Sequence, residues 1–367
     1  MTSGTRSLRV LGIETSCDET SASVVTGDAS RPVLQSLVIL SQDVHRLFGG
    51  VVPEIASRQH LTGVVPTVRT ALADAGVALA DIDAIAVTHA PGLVGALLVG
   101  TSFAKGLGAA ANIPVVPVHH LEGHLFATLL ESPEATPPFT ALLVSGGHTL
   151  LLDVPAWGAY RLLGRTRDDA AGEAFDKVAK LLGLPYPGGR PLEELARTLD
   201  GAQDVGQVHH FARPMVRRNS RAGDDDYFNL SFSGLKTSVL LAVRKAEVRG
   251  ALELERAAIA RAFQDATVAT LTEKVDRAVR LYRRTTVVLG GGVACNKALQ
   301  SSIAERMTSR GARLFAPSPR LATDNAAMIA AAGLYRFAAG DRMPPSLTAQ
   351  SALPLPGMFP FDVMAPR

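Results

Sequence analysis

Cysteine is scarce. The chain of 367 residues has two, Cys17 and Cys295, far apart in sequence. Two distant thiols build no disulfide framework, and the pattern fits a reduced, cytosolic protein. Long apolar runs are also missing. Hydrophobic residues make up 47% of the chain, yet no run reaches the roughly 18 to 20 residues of a membrane helix. The nearest, residues 90–104, is interrupted by Pro91, Gly92, Gly95 and Gly100. The apolar stretch within the N-terminal MTSGTRSLRVLGIE is too short for a signal peptide. Nor does one sign of charge dominate. A net charge of +3 is too mild to announce nucleic acid by itself. The positive residues do cluster, in RPMVRRNSR (213–221) and RAVRLYRR (277–284).

What is present is a plan used twice. LRVLGIETSCDETSASVVTGD (8–28) reads as strand, polar turn, strand, and FTALLVSGGHTLLLDV (139–154) has the same plan. AIAVTHAPGLVGALLVGTSFAKGL (84–107) reads as strand, glycine loop, helix, and TVVLGGGVACNKALQSSIAERM (286–307) repeats it. Two related α/β domains around a cleft follow, rather than a short-period solenoid. The first lobe is expected at 1–135, joined by a small-residue helix at about 323–340 that packs near the cleft; the second is expected at 139–322. ESPEATPPF (131–139) is the candidate linker. An insertion at about 165–235 carries an amphipathic helix ending at Gly183 and the irregular basic loop 213–221.

Three stretches carry chemistry. In HHLEGH (119–124), a helix puts His120 and His124 on one face, near enough to share a metal, or simply to cap and pack. This is not H-E-x-x-H, because Glu122 sits at the third position and points elsewhere, which removes the base of a zinc peptidase. Asp324 in ATDNAAM is the candidate third ligand; the alternative is a plain helix N-cap. Two His and one carboxylate leave open coordination positions and suit Fe(II) or Zn(II). Next, VSGGH (144–148) and LGGGVACN (289–296) each follow an apolar strand. Glycine turns let backbone N–H groups approach phosphate or carboxylate oxygens. Neither is a Walker A pattern or a full dinucleotide fingerprint. Finally, ETSCDET (14–20) offers Glu14, Asp18 and Glu19 with hydroxyls on both sides. It reads as a solvated hairpin tip, or as a turn whose carboxylates orient metal-bound water. Cys17 has no visible His to activate it and reads as a small buried residue.

Taken together and in order, GIETSCDET, GGVVPEIASRQH, PGLVGALLVG, VHHLEGH, LLVSGGHT, DDAAGEAFDK, YPGG, SFSGLKT, GGGVACN and TDNAAMIA closely resemble the tRNA N6-adenosine threonylcarbamoyltransferase family of the TsaD type, once grouped with O-sialoglycoprotein endopeptidases. The resemblance runs from about Arg9 to about Gly340. It implies a duplicated actin-like fold, that of sugar kinases and heat-shock ATPases. It implies transfer of a threonylcarbamoyl group from threonylcarbamoyl-AMP to the N6 amine of adenosine 37 in tRNAs reading codons that start with A. A metallopeptidase, or an ATPase or kinase of the same fold, is the alternative. One divalent ion, Fe(2+) before Zn(2+), is implied at His120, His124 and Asp324. Leu143, Val144, Ser145, Gly146, Gly147, Asp176, Gly189 and Asn296 are implied to contact the adenylate. Ser145 and Asp176 are candidate catalytic groups. Two departures stand out: Arg190 replaces the usual Pro after YPGG, and Leu143 stands where archaeal and eukaryotic relatives place a metal-binding Tyr.

The implied partners are tRNA, a TsaB-like paralogous subunit, a TsaE-like small ATPase and a separate threonylcarbamoyl-AMP synthase, in the cytoplasm and with no membrane. The stripe Leu61, Val64, Val65, Val68, Ala71 and Leu72 lies at helical period. It either faces its own sheet or docks the paralogue, with a homodimer forming when the paralogue is missing. Loop 213–221 is the candidate RNA backbone contact, unless residues 224–226 neutralise it.

Overall fold

The computed structural model describes residues 7–200, 209–217 and 219–360. The chain forms two compact units, one of Met1–Thr136 with Pro317–Pro356, the other of Pro137–Ala316 with Gly357–Arg367. The second unit thus stops six residues short of the boundary expected at 322, because the segment from Pro317 onward packs with the first.

In unit 1, β1 (Leu8–Glu14), β2 (Glu19–Asp28) and β3 (Arg31–Ser41) form an antiparallel meander. α1 (Pro53–Asp74) leads to β4 (Ala84–Ala90), parallel to β1. α2 (Val94–Ala111) crosses to β5 (Val115–His119), parallel to β4, and α3 (His120–Leu129) follows at once. Every residue of β4 is buried, as a central parallel strand requires.

In unit 2, β6 (Phe139–Val144), β7 (Thr149–Ala156) and β8 (Ala159–Arg165) form a second meander. Among the described residues five helices come next: α4 (Ala171–Leu181), α5 (Gly189–Arg197), α6 (Asp225–Phe228), α7 (Ser233–Val248) and the long α8 (Leu252–Tyr282). β9 (Thr286–Gly290) pairs parallel with β6, and α9 (Lys297–Thr308) crosses to β10 (Arg313–Phe315). The chain then returns to unit 1 with α10 (Pro319–Ala322) and α11 (Ala326–Ala338), and β11 (Met358–Pro360) finally adds an edge strand to β8. The sheet orders are β3-β2-β1-β4-β5 and β10-β9-β6-β7-β8-β11. Apart from β11, they are the same topology, so the duplicated plan is real.

α11 lies against β1, β2, β4 and α3. Its small residues permit this. A Cβ on Gly12 would stand 2.2 Å from the Ala326 carbonyl oxygen, and one on Gly333 would stand 2.2 Å from Ala86 Cβ.

Two expectations change. First, the α1 stripe divides. Val64, Val68 and Ala71 are buried with Leu11, Ile13, Val24 and Val87 in the core of unit 1, each Val adding about 1.5–3 kcal/mol. Leu61 and Val65 face outward, 64% and 40% exposed. Helical period identifies a stripe wider than the face that packs. Second, α2 is longer and more apolar than expected, 18 residues at mean hydropathy 1.4, enough by length and composition to cross a membrane. Its inner residues Ala96, Leu97, Gly100, Thr101 and Ala104 are buried, and a core helix meets the same test. In the basic cluster at 277–284, three of the four arginines are tied into the fold and Arg283 is exposed. Arg277 is buried, bonding Glu273 and the Tyr227 and Arg217 carbonyls, while Arg284 pairs with Asp153 and Arg280 with Asp276.

Candidate functional site

In unit 1 the chain passes from β5 into α3 without a linker. His120 therefore opens the helix and His124 follows one turn later on the same face. Asp324 lies between α10 and α11. It is not the N-cap: Asn325 fills that role, its Oδ1 accepting from Met328 N at 3.0 Å. The Asp324 carboxylate turns to the imidazoles instead, with Oδ1 3.4 Å from the Nε2 of His120 and 3.4 Å from that of His124. The donor atoms of the three residues all lie within 4.8 Å of one another.

This set fits a metal ion. Ligand atoms about 2.1 Å from a tetrahedral ion stand about 3.4 Å apart. His124 is 1% exposed; its Nδ1 has no hydrogen-bond partner among the described residues, and its Nε2 faces the Asp324 carboxylate at 3.4 Å without a well-aligned hydrogen bond. Buried ring nitrogens so poorly satisfied are costly, and an ion between Nε2 and Oδ1 would satisfy that side of the ring.

The surroundings orient His120. Glu14, fully buried at the end of β1, has Oε2 3.3 Å from His120 Nδ1, and Ser16 Oγ lies 3.2 Å from the same nitrogen. Thr88 Oγ1 donates to Glu14 Oε2 at 2.6 Å and Ser16 N to Oε1 at 2.5 Å. A carboxylate behind a ligating His fixes the ring and its tautomer. Turn 14–19 is accordingly no solvated hairpin tip, since Glu14, Thr15 and Ser16 are buried. α2 braces it from behind: Thr15 Oγ1 donates to the Ala96 carbonyl, and Leu93 N to that of Ser16. The role of Glu14 behind His120 is new; its only trace in the sequence is a carboxylate ending an apolar strand.

Burial opposes charge on Asp324, but His120 and His124 overcome it and hold the carboxyl well below its usual range. Burial likewise opposes charge on His120, yet Asp324 and Glu14 raise it well above the ordinary imidazole value. At His124 burial, helped by the charge on His120, outweighs Asp324 and Glu14 and lowers it. Burial, then Asp324 and Asp18, push Glu19 up to about 10. Burial also raises the Cys17 thiol, which removes it as a nucleophile.

In unit 2 the glycine turn closes on itself. Ser145 N donates to the His148 carbonyl at 2.9 Å, and His148 N to Ser145 Oγ at 3.2 Å. Gly146 and Gly147 are exposed, and a Cβ on either meets nothing within 4 Å. Leu143 and Val144 are buried residues at the end of β6, and Val144 packs into the core of unit 2. Around the turn the backbone packs closely. A Cβ on Gly172 would stand 2.5 Å from the Ser145 carbonyl oxygen; one on Gly291, with φ 89°, would stand 2.4 Å from that of Val144.

α4 begins at this contact and carries Asp176, whose Oδ1 accepts from Gly188 N at 2.7 Å. That bond ties the YPGG loop to α4, and burial raises the Asp176 carboxyl. Gly189 opens α5 beside it, with open space where a Cβ would be. Arg190 is exposed and pairs with Glu194, leaving the loop undisturbed. Asn296 caps α9, Oδ1 accepting from Leu299 N at 2.9 Å while Nδ2 donates to Gln264 at 3.0 Å. These groups gather at the carboxyl ends of the parallel pair β6 and β9, the usual ligand position in such sheets. In loop 213–221, Arg213, Arg217 and Arg221 are exposed and Arg218 lies outside the described residues. Arg217 pairs with Asp226 at 2.9 Å.

Fold and site define a class: a duplicated actin-like α/β protein with a His, His, Asp donor set in its first unit. Residues 33–331 match the family described as TsaD: tRNA N6-adenosine threonylcarbamoyltransferase. A protein of that name from Gemmatimonas aurantiaca is 69% identical over 352 residues, 96% of this chain and 98% of its own. Another from Nitrosospira multiformis is 50% identical over 333 residues, 90% and 92% of the two chains. Among solved structures, HypF from T. kodakarensis has a TM-score of 0.56 at 15% identity, covering 90% of this chain and 48% of that one. Component A of Acidaminococcus fermentans (R)-2-hydroxyglutaryl-CoA dehydratase has 0.52 at 14%, covering 90% and 99%. Those two likenesses concern the fold alone. The chain belongs to the tRNA N6-adenosine threonylcarbamoyltransferase family. It is an acyltransferase that forms N6-threonylcarbamoyladenosine in tRNA.

Proposed function

We propose that His120, His124 and Asp324 hold one divalent ion, Fe(2+) before Zn(2+), and that turn 145–147 with Asp176, Gly189 and Asn296 binds threonylcarbamoyl-AMP. The observation that carries the metal reading is the pair of 3.4 Å contacts from Asp324 Oδ1 to two buried imidazoles. When bound, the ion supplies Lewis-acid charge for oxygens that become more negative during transfer.

The chain's own groups do the rest. The exocyclic amine of adenine is a weak nucleophile, its lone pair being delocalised into the ring, so the donor must be an activated mixed anhydride. The exposed backbone of Gly146 and Gly147 offers N–H groups to the donor's oxygens without side-chain obstruction. Asp176 holds the YPGG loop and keeps one carboxylate oxygen for the threonyl part or the ribose. Its raised pKa also makes it a better base than an ordinary Asp. Ser145 acts through its hydroxyl: its N–H is committed to the His148 carbonyl, whereas Oγ, which accepts from His148 N, keeps its own O–H to donate to the donor's oxygens.

The peptidase reading is disfavoured by Glu122, which is fully buried and bonded by Arg336 rather than turned to the His pair. The RNA splays its anticodon-loop adenosine to reach the donor, with the exposed arginines of loop 213–221 on its backbone. Leu61 and Val65 of α1 with Val94 and Leu98 of α2 form an outward apolar surface, all at least 40% exposed. A TsaB-like paralogue covers it, or a second copy of this chain does when the paralogue is missing. A TsaE-like ATPase and a separate synthase complete the cytoplasmic pathway. The test combines threonine, bicarbonate, ATP, tRNA, the partner proteins and this chain, then digests the tRNA. Mass spectrometry should find threonylcarbamoyladenosine only when this chain is present. Its appearance without the chain would contradict the reading.

A further inference from the structure

α3 carries two of the candidate ligands and the third immediately precedes the cap of α11, so the packing of these two helices sets the ligand spacing. Gly123 allows their close approach: a Cβ there would stand 2.8 Å from Ile329 Cδ1. Further along α11, Phe126 and Tyr335 pack with ring centroids 5.5 Å apart. Beside them lies a buried ion pair. Glu122 is about 200° around α3 from His120, at about 100° per residue, and is fully buried. Arg336 donates to it twice, Nε to Oε2 at 2.9 Å and Nη2 to Oε1 at 2.7 Å. Arg336 also reaches Asp341 at 3.3 Å, which anchors the segment after α11.

We propose that Glu122 and Arg336 are a positioning pair: their two-point bond fixes α3 against α11 and so holds His120 and His124 in register with Asp324. A buried ion pair adds little stability over an apolar pair of the same volume. What it adds is geometry. Apolar side chains slide past one another, whereas a planar guanidinium on a planar carboxylate fixes both distance and orientation. Neither residue faces the donor set, so the pair acts only through the ligands. This inference rests on the metal reading above.

The test uses Co(2+) as the probe, titrated into the full chain and followed by visible absorption. Glu122→Leu with Arg336→Met removes both charges together and leaves neither buried alone. Arg336→Lys keeps the charge but loses the fork. The double variant should fold, as judged by circular dichroism, yet bind Co(2+) about ten- to a hundredfold more weakly, the usual range for groups behind a metal ligand, and with altered absorption bands. Arg336→Lys should weaken binding about tenfold. Unchanged affinity and bands in both variants would overturn the proposal and leave the pair a packing element. If the double variant does not fold, Arg336→Lys decides. If the unmutated chain takes up no Co(2+), the metal reading fails and the proposal with it. Binding by the unmutated chain that His124→Ala abolishes secures the reading, so that the clamp is judged separately.

Discussion

The turn between the first two strands occupies the same topological place in both units and is built from opposite chemistry, carboxylates in one and glycine backbone in the other. In unit 1, turn 14–19 tucks Glu14 inward behind His120 and is braced by α2. In unit 2, turn 145–148 exposes Gly146 and Gly147 with open space above them. On the proposed reading, one sheet order supports a cation site in one copy and an anion site in the other. The difference lies in a few residues: carboxylates and imidazoles against glycine backbone N–H groups. Duplication would then fix where a site forms, and local sequence its sign.

The harshest way to break this comparison is to destroy one unit. Val68→Asp puts a charge into the core of unit 1 and should cost about 3–5 kcal/mol or more, unfolding that unit in thermal melts. A folded variant that merely fails to dock would mean Val68 is not a core residue. Next, Gly146→Val should abolish adenylate binding in calorimetry while metal stoichiometry stays at the unmutated value. Its backbone is not left-handed, so the valine acts by filling the ligand's space and not through strain. Unchanged nucleotide affinity would remove turn 145–148 from the anion site.

A smaller effect sharpens the comparison from outside. Leu61→Asp alters an exposed position, so the fold and metal should persist while the complex with the paralogue is lost on size-exclusion chromatography. An intact complex would place the interface elsewhere. The smallest change is expected from Arg213→Ala with Arg221→Ala. Weaker tRNA binding and a shallower salt dependence should follow, by about one unit of slope per lost phosphate contact. An unchanged slope would mark loop 213–221 as a solvated surface.

Much of this was legible before any coordinates. The repeated hairpin and strand–loop–helix patterns gave both meanders and both crossovers, because apolar period and glycine turns are local signals. The pairing of His120 with His124 was equally local, one helical turn. Asp324 was reachable only as a candidate, two hundred positions along the chain. What stayed hidden depends on pairing across long separations. The Glu122–Arg336 bond joins residues 214 apart. Nothing local separates outward Leu61 and Val65 from inward Val64 and Val68, since all four are apolar and adjacent on the helix. For the arginines of 277–284, the pairs Glu273–Arg277 and Asp276–Arg280 are local, four residues apart on one helix, whereas the bonds of Arg284 to Asp153 and of Arg277 to the Tyr227 and Arg217 carbonyls join distant segments.

The central claim is that unit 1 holds a metal through two imidazoles and one carboxylate. Elemental analysis of the purified chain beside Asp324→Ala tests it most directly. The account predicts about one divalent ion per chain in the unmutated protein, and none retained by Asp324→Ala after dialysis, with both folded by circular dichroism. Equal metal content in the two proteins would contradict it.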